Sequence, residues 1–351
     1  MTTKILHFII AFLLIFNCYN QKSKNLNNFF SYESKHSSIT KSYLDELRKH
    51  VSFEVLDYES HPFKDQKFTE ISEKLKIFDI PMEEIPRENK PEIFNDDFPL
   101  NFDPTEKWPK CIHPIENQLQ CGSCWAFTTS YVLSDRLCIA SDNRVNVQLS
   151  VQDPISCSTT NLACNGGYLD RAISYLITDG AVTSKCLPYT AGYGNVEKCQ
   201  NSCKSSQEVY RKYHATSYRR LQYASQIKYE LFNYGPVATG YLVYKDFMSY
   251  KGGIYKRTSD YLLGGHAVRI VGWGTDGTTE YWVVANSWGK YWGEDGFFRI
   301  AMNHCCNFEF NVLAPYARLT LEDLEMSGEN VIKVEDLDTE KEKLAKKANL
   351  A

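Results

Sequence analysis

The chain has 351 residues, 43% of them apolar, so it can bury one large core or two ordinary ones, and disorder of the whole chain is excluded. Its 39 basic and 43 acidic side chains give a net charge of −4, which argues against a nucleic-acid partner or a basic membrane-binding surface. Twelve cysteines are many for a cytosolic enzyme and indicate a core with disulfides, made in an oxidising compartment.

The N-terminus has the layout of a secretory signal peptide. Residues 5–16 form an apolar run that follows Lys4 and precedes a polar stretch. We place the signal at residues 1–20, with a buried N-terminal helix as the alternative. A membrane helix needs about 20 apolar residues, so no membrane span is expected. The sequence predicts the secretory pathway but does not distinguish a lysosome or phagosomal vacuole from the extracellular space.

Two charged segments flank a core that contains the remaining cysteines. Residues 21–97 lack cysteine and include helix-like stretches at 43–51 and 68–78. Residues 317–351 are rich in Glu, Asp and Lys and have too few apolar residues to bury much, which predicts a solvated tail with a helical stretch near 340–347. The core between them covers residues 98–316.

The densest motif, at residues 117–127, contains a candidate nucleophile. Ser123 is a favourable helix N-cap, and apolar spacing predicts a helix from Cys124 to Ala140. The helix dipole and free backbone N–H groups of a first turn favour the thiolate form of Cys124. A lone cysteine in a secreted protein is more often half of a disulfide than a nucleophile. A catalytic role for Cys124 therefore needs further support, and a base to activate the thiol is the first feature to look for.

The candidate base is His266, which follows two glycines and opens a β-like run. A turn at residues 276–277 leads into a second strand that ends near Asn286, so a hairpin would bring His266 and Asn286 together. Asn286 would accept the imidazole N–H and fix its tautomer, while Trp288 would cover that hydrogen bond. Gln118 and the backbone N–H of Cys124 would stabilise an oxyanion.

The motif Cys121-Gly-Ser-Cys124-Trp125, with the distant His266 and Asn286, resembles the papain-like cysteine peptidases. Residues 164–168, 235–237, 243–247 and 264–267 further resemble the cathepsin B branch of that family, and the resemblance spans residues 98–316. It implies an α+β, papain-like fold of two subdomains. A helical left subdomain and a β-barrel-like right subdomain would enclose the active site in the cleft between them.

The resemblance also implies the disulfides. They are Cys111 with Cys138, Cys121 with Cys164, Cys157 with Cys199, and Cys186 with Cys203. Cys305 and Cys306 are then left over and are expected to be buried free thiols, with a vicinal disulfide as the alternative. No metal or other cofactor is implied.

The substrate contacts implied by the resemblance lie at five separate places in the chain. Gly166 and Gly167 would hydrogen-bond the main chain of an extended substrate, because glycine permits close approach. The remaining contacts, which include the walls of the pocket for the residue two positions before the scissile bond (P2), fall on Tyr168, Gly240, Ala267 and Trp288. Phe310 is placed at the floor of that pocket and predicts an apolar P2 preference, whereas a one-residue shift in alignment would place Glu309 there.

A departure from cathepsin B concerns its occluding loop, which blocks one end of the cleft with paired histidines. Between Cys186 and Cys199 this chain has residues 187–198, with no histidine and no inner cysteine pair. The cleft is therefore predicted to be open at that end. An endopeptidase is expected, without the dipeptide-releasing activity.

The predicted activity is hydrolysis of protein and peptide substrates through an acyl-enzyme. Cys124 would attack the carbonyl and His266 would protonate the leaving amine, as a thiolate–imidazolium pair. Residues 21–97 would be a propeptide that inhibits the zymogen, with a plain secretion spacer as the alternative. Cystatin-type proteins are a further class of expected inhibitor.

Two other functions stay open at this point. A catalytically silent binding protein on the same fold would usually lack the nucleophile, which this chain retains. A ligase or transpeptidase would use the same acyl intermediate and differ only in the acceptor, so the sequence cannot separate it from a hydrolase.

Overall fold

The structure, a computed structural model, describes residues 36–82 and 98–325. The predicted signal peptide and the predicted helix near residues 340–347 lie outside the described residues. Within those residues, no helix combines the length and the apolar character that crossing a bilayer requires.

The N-terminal segment, here residues 36–82, contains α1 (Lys41–Leu47), β1 (Glu54–Val55), a 3-10 turn (Tyr58–Ser60) and α2 (Phe68–Ser72). The helix predicted at 43–51 is present but begins and ends earlier. The one predicted at 68–78 is wrong beyond Ser72. There the chain becomes extended, because Lys76 and Ile77 form β-bridges with Gly265 and Gly167.

The other helices are α3 (Pro104–Lys107), α4 (Cys124–Ala140), α5 (Gln152–Cys157), α6 (Leu169–Thr178), α7 (Ala224–Tyr234) and α8 (Leu321–Glu325). Helix α4 has the predicted bounds and is buried on every side from Cys124 to Cys138. Small residues such as Ala126 and Ser130 allow its neighbours to pack closely around it. The helix therefore forms the centre of its half of the molecule.

A seven-stranded sheet forms the other half. Its strands are β2 (Ala215–Leu221), β3 (Val237–Tyr244), β5 (Ile254–Tyr255), β6 (Leu262–Asp276), β7 (Thr279–Ala285), β8 (Phe297–Ala301) and β9 (Asn311–Ala317), in the order β2-β9-β3-β6-β7-β8-β5. All neighbours are antiparallel except β5 and β8. The short β4 (Tyr250–Gly252) pairs instead with β1 of the N-terminal segment.

Two apolar clusters meet where β6 packs on α4. The larger contains Trp273, Trp282 and Trp292 of the sheet half, and the smaller contains Cys124 and Ala267. A helical half and a sheet half therefore adjoin at the predicted catalytic residues, which confirms the α+β class.

Four disulfides have the pairings that the resemblance implies: Cys111–Cys138, Cys121–Cys164, Cys157–Cys199 and Cys186–Cys203. A fifth joins Cys305 to Cys306, so the prediction of two free thiols is wrong. Cys306 has a φ of 71° and lies in a tight turn, which brings the adjacent sulfurs together. Among the described cysteines, the free one is Cys124.

Candidate active site

Cys124 is the first residue of α4 and is fully buried. The preceding Ser123 occupies the N-cap position, but its hydroxyl bonds to the Tyr189 hydroxyl at 3.2 Å and does not cap the helix. Backbone N–H groups of Ala267, Trp125 and Lys76 lie near the Cys124 sulfur and lower the pKa of the thiol. The thiol therefore lies between the start of α4, strand β6 and the N-terminal segment.

The Cys124 thiol is neutral in this form of the protein. Burial raises its pKa to about 11, and the nearby charge of Asp79 raises it further, while the backbone N–H groups act in the opposite direction. The expectation of a thiolate is therefore not met while the N-terminal segment covers the sulfur. The loss of hydration outweighs the favourable position at a helix N-terminus.

His266 and Asn286 form the predicted hydrogen-bonded pair. The Nε2–H group of His266 donates to Asn286 Oδ1 at 2.8 Å, and the imidazole stacks on Trp288 with 4.7 Å between ring centroids. The other ring nitrogen, Nδ1, is buried and has no hydrogen-bond partner among the described residues. Burial lowers the pKa of His266 to about 4 despite the opposing effect of Asn286, so the imidazole is neutral too.

Gln118 is fully buried and connects the site to the N-terminal segment. Its Nε2 group donates to the Lys74 carbonyl oxygen at 3.2 Å and to the Cys121 carbonyl oxygen at 3.0 Å. Its Oε1 atom accepts a 2.6 Å hydrogen bond from the Ser287 hydroxyl. The amide predicted to stabilise an oxyanion thus already binds a peptide carbonyl.

The glycine strip binds the main chain of the N-terminal segment. The Gly167 N–H donates to the Lys76 carbonyl oxygen at 3.0 Å, and the Phe78 N–H donates to the Gly167 carbonyl oxygen at 3.1 Å. A Cβ on Gly166 would lie 2.4 Å from the Lys76 carbonyl oxygen, and the φ of Gly166 is +108°, so glycine is required there on both counts.

Gly240 and Ala267 are paired residues of β3 and β6 and form one wall of an apolar pocket. The nearest side chain to Gly240 is Ile80 of the N-terminal segment, whose Cδ1 atom would lie 2.8 Å from a Cβ there. The Tyr168 ring packs against Phe78, with 5.4 Å between centroids. The predicted substrate contacts Gly166, Gly167, Tyr168 and Gly240 therefore all touch the N-terminal segment.

Phe310 is not at the floor of this pocket. Its side chain is 41% exposed, whereas the neighbouring Glu309 is buried and accepts hydrogen bonds from the Trp282 indole and the Asn303 N–H. The residue that faces Gly240 in the register of β3 and β9 is Asn311. Because successive residues of a strand point to opposite faces, placing Asn311 beside Gly240 turns Phe310 away from the pocket.

A search against family models matches residues 98–316 to the papain family cysteine proteases. The chain belongs to this family. It is therefore a cysteine peptidase, with the nucleophile motif and the distant His266 and Asn286 inside the matched region.

Several relatives of the papain family are similar over most of their length. Cathepsin B-like cysteine proteinase 3 of Caenorhabditis elegans is 41% identical, covering 65% of this chain and 68% of the relative. Cathepsin B-like CP2 of Giardia intestinalis is 39% identical, covering 60% and 72%. The solved structure of procathepsin B S9 from Trypanosoma congolense superposes with a TM-score of 0.70 at 29% identity, over 81% of this chain and all of that one.

Two residues of the site were missed by sequence reasoning. Ser287 donates its N–H to Asn286 Oδ1 at 2.8 Å and its hydroxyl to Gln118, and its place between Asn286 and Trp288 was a usable signal. Asn311 was missed because the loop before β9 contains two successive residues with positive φ, Cys306 and Asn307. That turn sets the register of β9, and its effect cannot be read from residue spacing.

Proposed function

We propose that this protein is an endopeptidase made as a zymogen, in which the N-terminal segment lies over the catalytic site and inhibits it. The observation that carries the proposal is the pair of contacts on either side of the thiol. The Gln118 amide donates to the Lys74 carbonyl oxygen, and the Gly167 N–H donates to the Lys76 carbonyl oxygen. A substrate peptide would need both of these positions, so segment and substrate exclude each other.

The proposed reaction begins when the segment leaves. Water and substrate then reach Cys124, the desolvation that holds both groups neutral is relieved, and a proton moves from the thiol to Nδ1 of His266. The thiolate attacks the peptide carbonyl carbon, and the oxyanion is stabilised by the Gln118 amide and the Cys124 N–H. His266 protonates the leaving amine, and then takes a proton from the water that hydrolyses the acyl-enzyme.

An endopeptidase is proposed because the loop between Cys186 and Cys199 is short and packs against the residues before α4, where the Tyr189 hydroxyl donates to the Gln118 carbonyl oxygen. Its Thr190 and Ala191 N–H groups both donate to Gln152 Oε1, and its Gly192 carbonyl accepts from the Gln120 N–H. It offers no histidine for the carboxylate of a peptide terminus. An extended chain could therefore continue past this end of the cleft.

We also propose a preference for apolar P2 residues. This preference was predicted from Phe310 at the pocket floor, but it is now supported by the contacts of the N-terminal segment. Ile77 and Ile80 occupy the wall made by Gly240 and share an apolar cluster with Ala267 and Leu313. A substrate that replaces the segment gains the same apolar contacts.

The proposed cellular route is the secretory pathway, to a lysosome, a phagosomal vacuole or the cell exterior. The signal peptide at residues 1–20 and the propeptide at 21–97 remain part of this proposal, as do cystatin-type inhibitors. The prediction of a solvated tail at 317–351 is wrong for its first residues, because Ala317 ends β9 and Leu324 of α8 is buried in an apolar cluster. Five disulfides among the described residues support an oxidising compartment of synthesis.

The test is hydrolysis of fluorogenic Phe-Arg and Arg-Arg amides by the acid-matured protein, with Cys124→Ser as the control. We expect cleavage of the Phe-Arg amide, none by the variant, and weaker cleavage of the Arg-Arg amide. A folded, reduced sample that cleaves neither would refute the peptidase. Rapid loss of successive dipeptides from a peptide with a free C-terminus would refute the endopeptidase assignment.

A further inference from the structure

The Asp79 carboxylate of the N-terminal segment is held inside the cleft by two donors. Its Oδ2 atom accepts from the Leu169 N–H at 3.0 Å and from Asn311 Nδ2 at 2.8 Å. Leu169 is the first residue of α6, and Asn311 is the fully buried first residue of β9. We call this pair of donors the two-donor site.

The amide of Asn311 is oriented by an arginine behind it. The Nη1 group of Arg220, on β2, donates to Asn311 Oδ1. A guanidinium has no acceptor, so the oxygen of Asn311 must face Arg220 and its NH2 group must face the cleft. The two-donor site therefore presents donors only, with a positive charge behind one of them.

The two-donor site adjoins the apolar pocket. Asn311 is opposite Gly240 in the strand register, and Gly240 is the residue on which Ile80 packs. When the segment leaves, Ile80 uncovers the apolar wall and Asp79 uncovers the donors at the same time. The Leu169 N–H and the Asn311 NH2 group then lose the partner that they had, so water or a substrate side chain must supply their acceptor.

Resting on the proposed function, we infer that the P2 pocket of the mature enzyme selects a side chain with an apolar stem and a terminal carbonyl-type oxygen, with Asn311 and Arg220 as the residues that set this selectivity. Glutamine and glutamate have this form. Their methylene groups contact the Gly240 wall, and their oxygen accepts from the two-donor site. Lysine and arginine are disfavoured, because they bring further donors and a like charge toward Arg220.

The experiment compares kcat/KM of the matured enzyme on acetyl-Ala-X-Arg fluorogenic amides with X = Leu, Gln, Glu or Arg. In the wild type we expect Gln to be cleaved at least as well as Leu, and Arg to be the poorest. Asn311→Leu should lower the Gln-to-Leu ratio by about tenfold, because two hydrogen bonds to the oxygen are reduced to one. Arg220→Leu should lower it less, because the Asn311 amide becomes free to rotate.

The matched control is Arg219→Leu, the neighbouring arginine on β2, whose guanidinium lies over the Tyr316 ring. It removes the same charge and should leave the Gln-to-Leu ratio unchanged. A ratio that is equal in the wild type and in Asn311→Leu would overturn the inference, as would preferred cleavage of the Arg substrate. Cleavage of the Leu substrate reports separately on the peptidase itself and on folding. If Asn311→Leu does not fold, the exposed Arg220→Leu decides the matter, since an unchanged ratio there also overturns the inference.

Discussion

At the scale of single residues, Ser287 joins the two parts of the catalytic site. Its N–H donates to Asn286 Oδ1, the same oxygen that accepts from His266, and its hydroxyl donates to Gln118 Oε1. That second bond leaves the Gln118 NH2 group to face the peptide carbonyl. We therefore propose Ser287 as a positioning residue for Gln118, the proposed oxyanion donor.

We expect Ser287→Ala to lower kcat by about tenfold, because the Gln118 amide loses the hydrogen bond that orients it. KM should change little, since the substrate does not contact Ser287. Ser287→Thr keeps the hydroxyl and should recover part of kcat. Steady-state kinetics of the matured enzyme measure both constants, and a raised KM at unchanged kcat would contradict the positioning role.

For single residues, the sequence predicted which side chains form the candidate site better than it predicted their burial and protonation. The roles proposed for Cys124, His266, Asn286 and Gln118 follow from motif and order, and the structure places these residues together. The neutral state of Cys124 could not be predicted, because it depends on burial under a segment some fifty residues away in the chain. The position of Asn311, and not Phe310, beside Gly240 likewise depends on the turn before β9 and not on residue type.

At the scale of elements, the N-terminal segment docks on the sheet half through aromatic contacts. Phe63 packs edge-on against Trp288, with 5.6 Å between ring centroids. His61 is buried beside it, with Nε2 3.3 Å from the Ser249 hydroxyl and Nδ1 accepting from the Phe63 N–H. The segment therefore contacts the same tryptophan that covers His266, the proposed catalytic base.

We expect acid to weaken this docking through His61. Burial lowers the pKa of His61 from 6.5 to about 4, so the docked segment keeps the imidazole neutral while a released segment takes up a proton. Docking therefore loses free energy as the pH falls from about 6.5 to about 4, by up to about 1.4 kcal/mol per pH unit. His61→Gln should flatten this dependence.

The measurement is amide hydrogen exchange of residues 61–80 in the full chain carrying Cys124→Ser, which prevents self-processing. Exchange protection should fall with pH in the parent and much less in His61→Gln, after correction for the intrinsic exchange rate. Equal pH slopes in the two proteins would show that His61 does not control docking.

The sequence predicted helices and strands well where the local residue pattern determines the backbone conformation. It predicted them poorly where hydrogen bonds to distant parts of the chain determine it. Helix α4 has the expected bounds, because Ser123 and the residues after it favour a helix start and apolar continuation. Residues 73–78 show a helical pattern, but residues 73–74 form a turn and Lys76 and Ile77 form β-bridges with Gly265 and Gly167. Tertiary hydrogen bonds override local preference there.

At the scale of the whole molecule, a buried ion pair connects the two halves. Asp135 on α4 pairs with Arg269 on β6 and accepts from His113 Nδ1 at 2.8 Å, and Arg269 also donates to the His113 carbonyl oxygen at 2.9 Å. The elements that carry Cys124 and His266 are thus held to one another by charged groups that are almost fully buried.

We expect Asp135→Ala to lower the free energy of unfolding by about 3–5 kcal/mol, because it leaves the buried Arg269 guanidinium without its counter-charge. The control is Glu280→Gln, which removes a pair with Lys228 at a side chain that is 55% exposed and should cost less than about 1 kcal/mol. Denaturant unfolding of the two variants measures the difference. Similar losses in both would mean that Asp135 and Arg269 add little to the cohesion of the halves.

The family and its two-part architecture were predictable from the sequence, since spaced motifs in order indicate a known fold. The ion pair between the halves was not, because Asp135 and Arg269 are far apart in the chain and carry no motif of their own. The vicinal bond between Cys305 and Cys306 was weighed only as an alternative, since adjacency in sequence does not reveal the turn that joins them.

Apolar side chains of the N-terminal segment also form part of the core of the sheet half. Tyr43, Leu44 and Phe68 belong to the same apolar cluster as the tryptophans of the sheet. A mature enzyme that loses its structure after the segment has been cut away must refold with less apolar surface to bury. We therefore expect the lifetime of the mature enzyme to be set by its barrier to unfolding, with little activity regained by molecules that have unfolded.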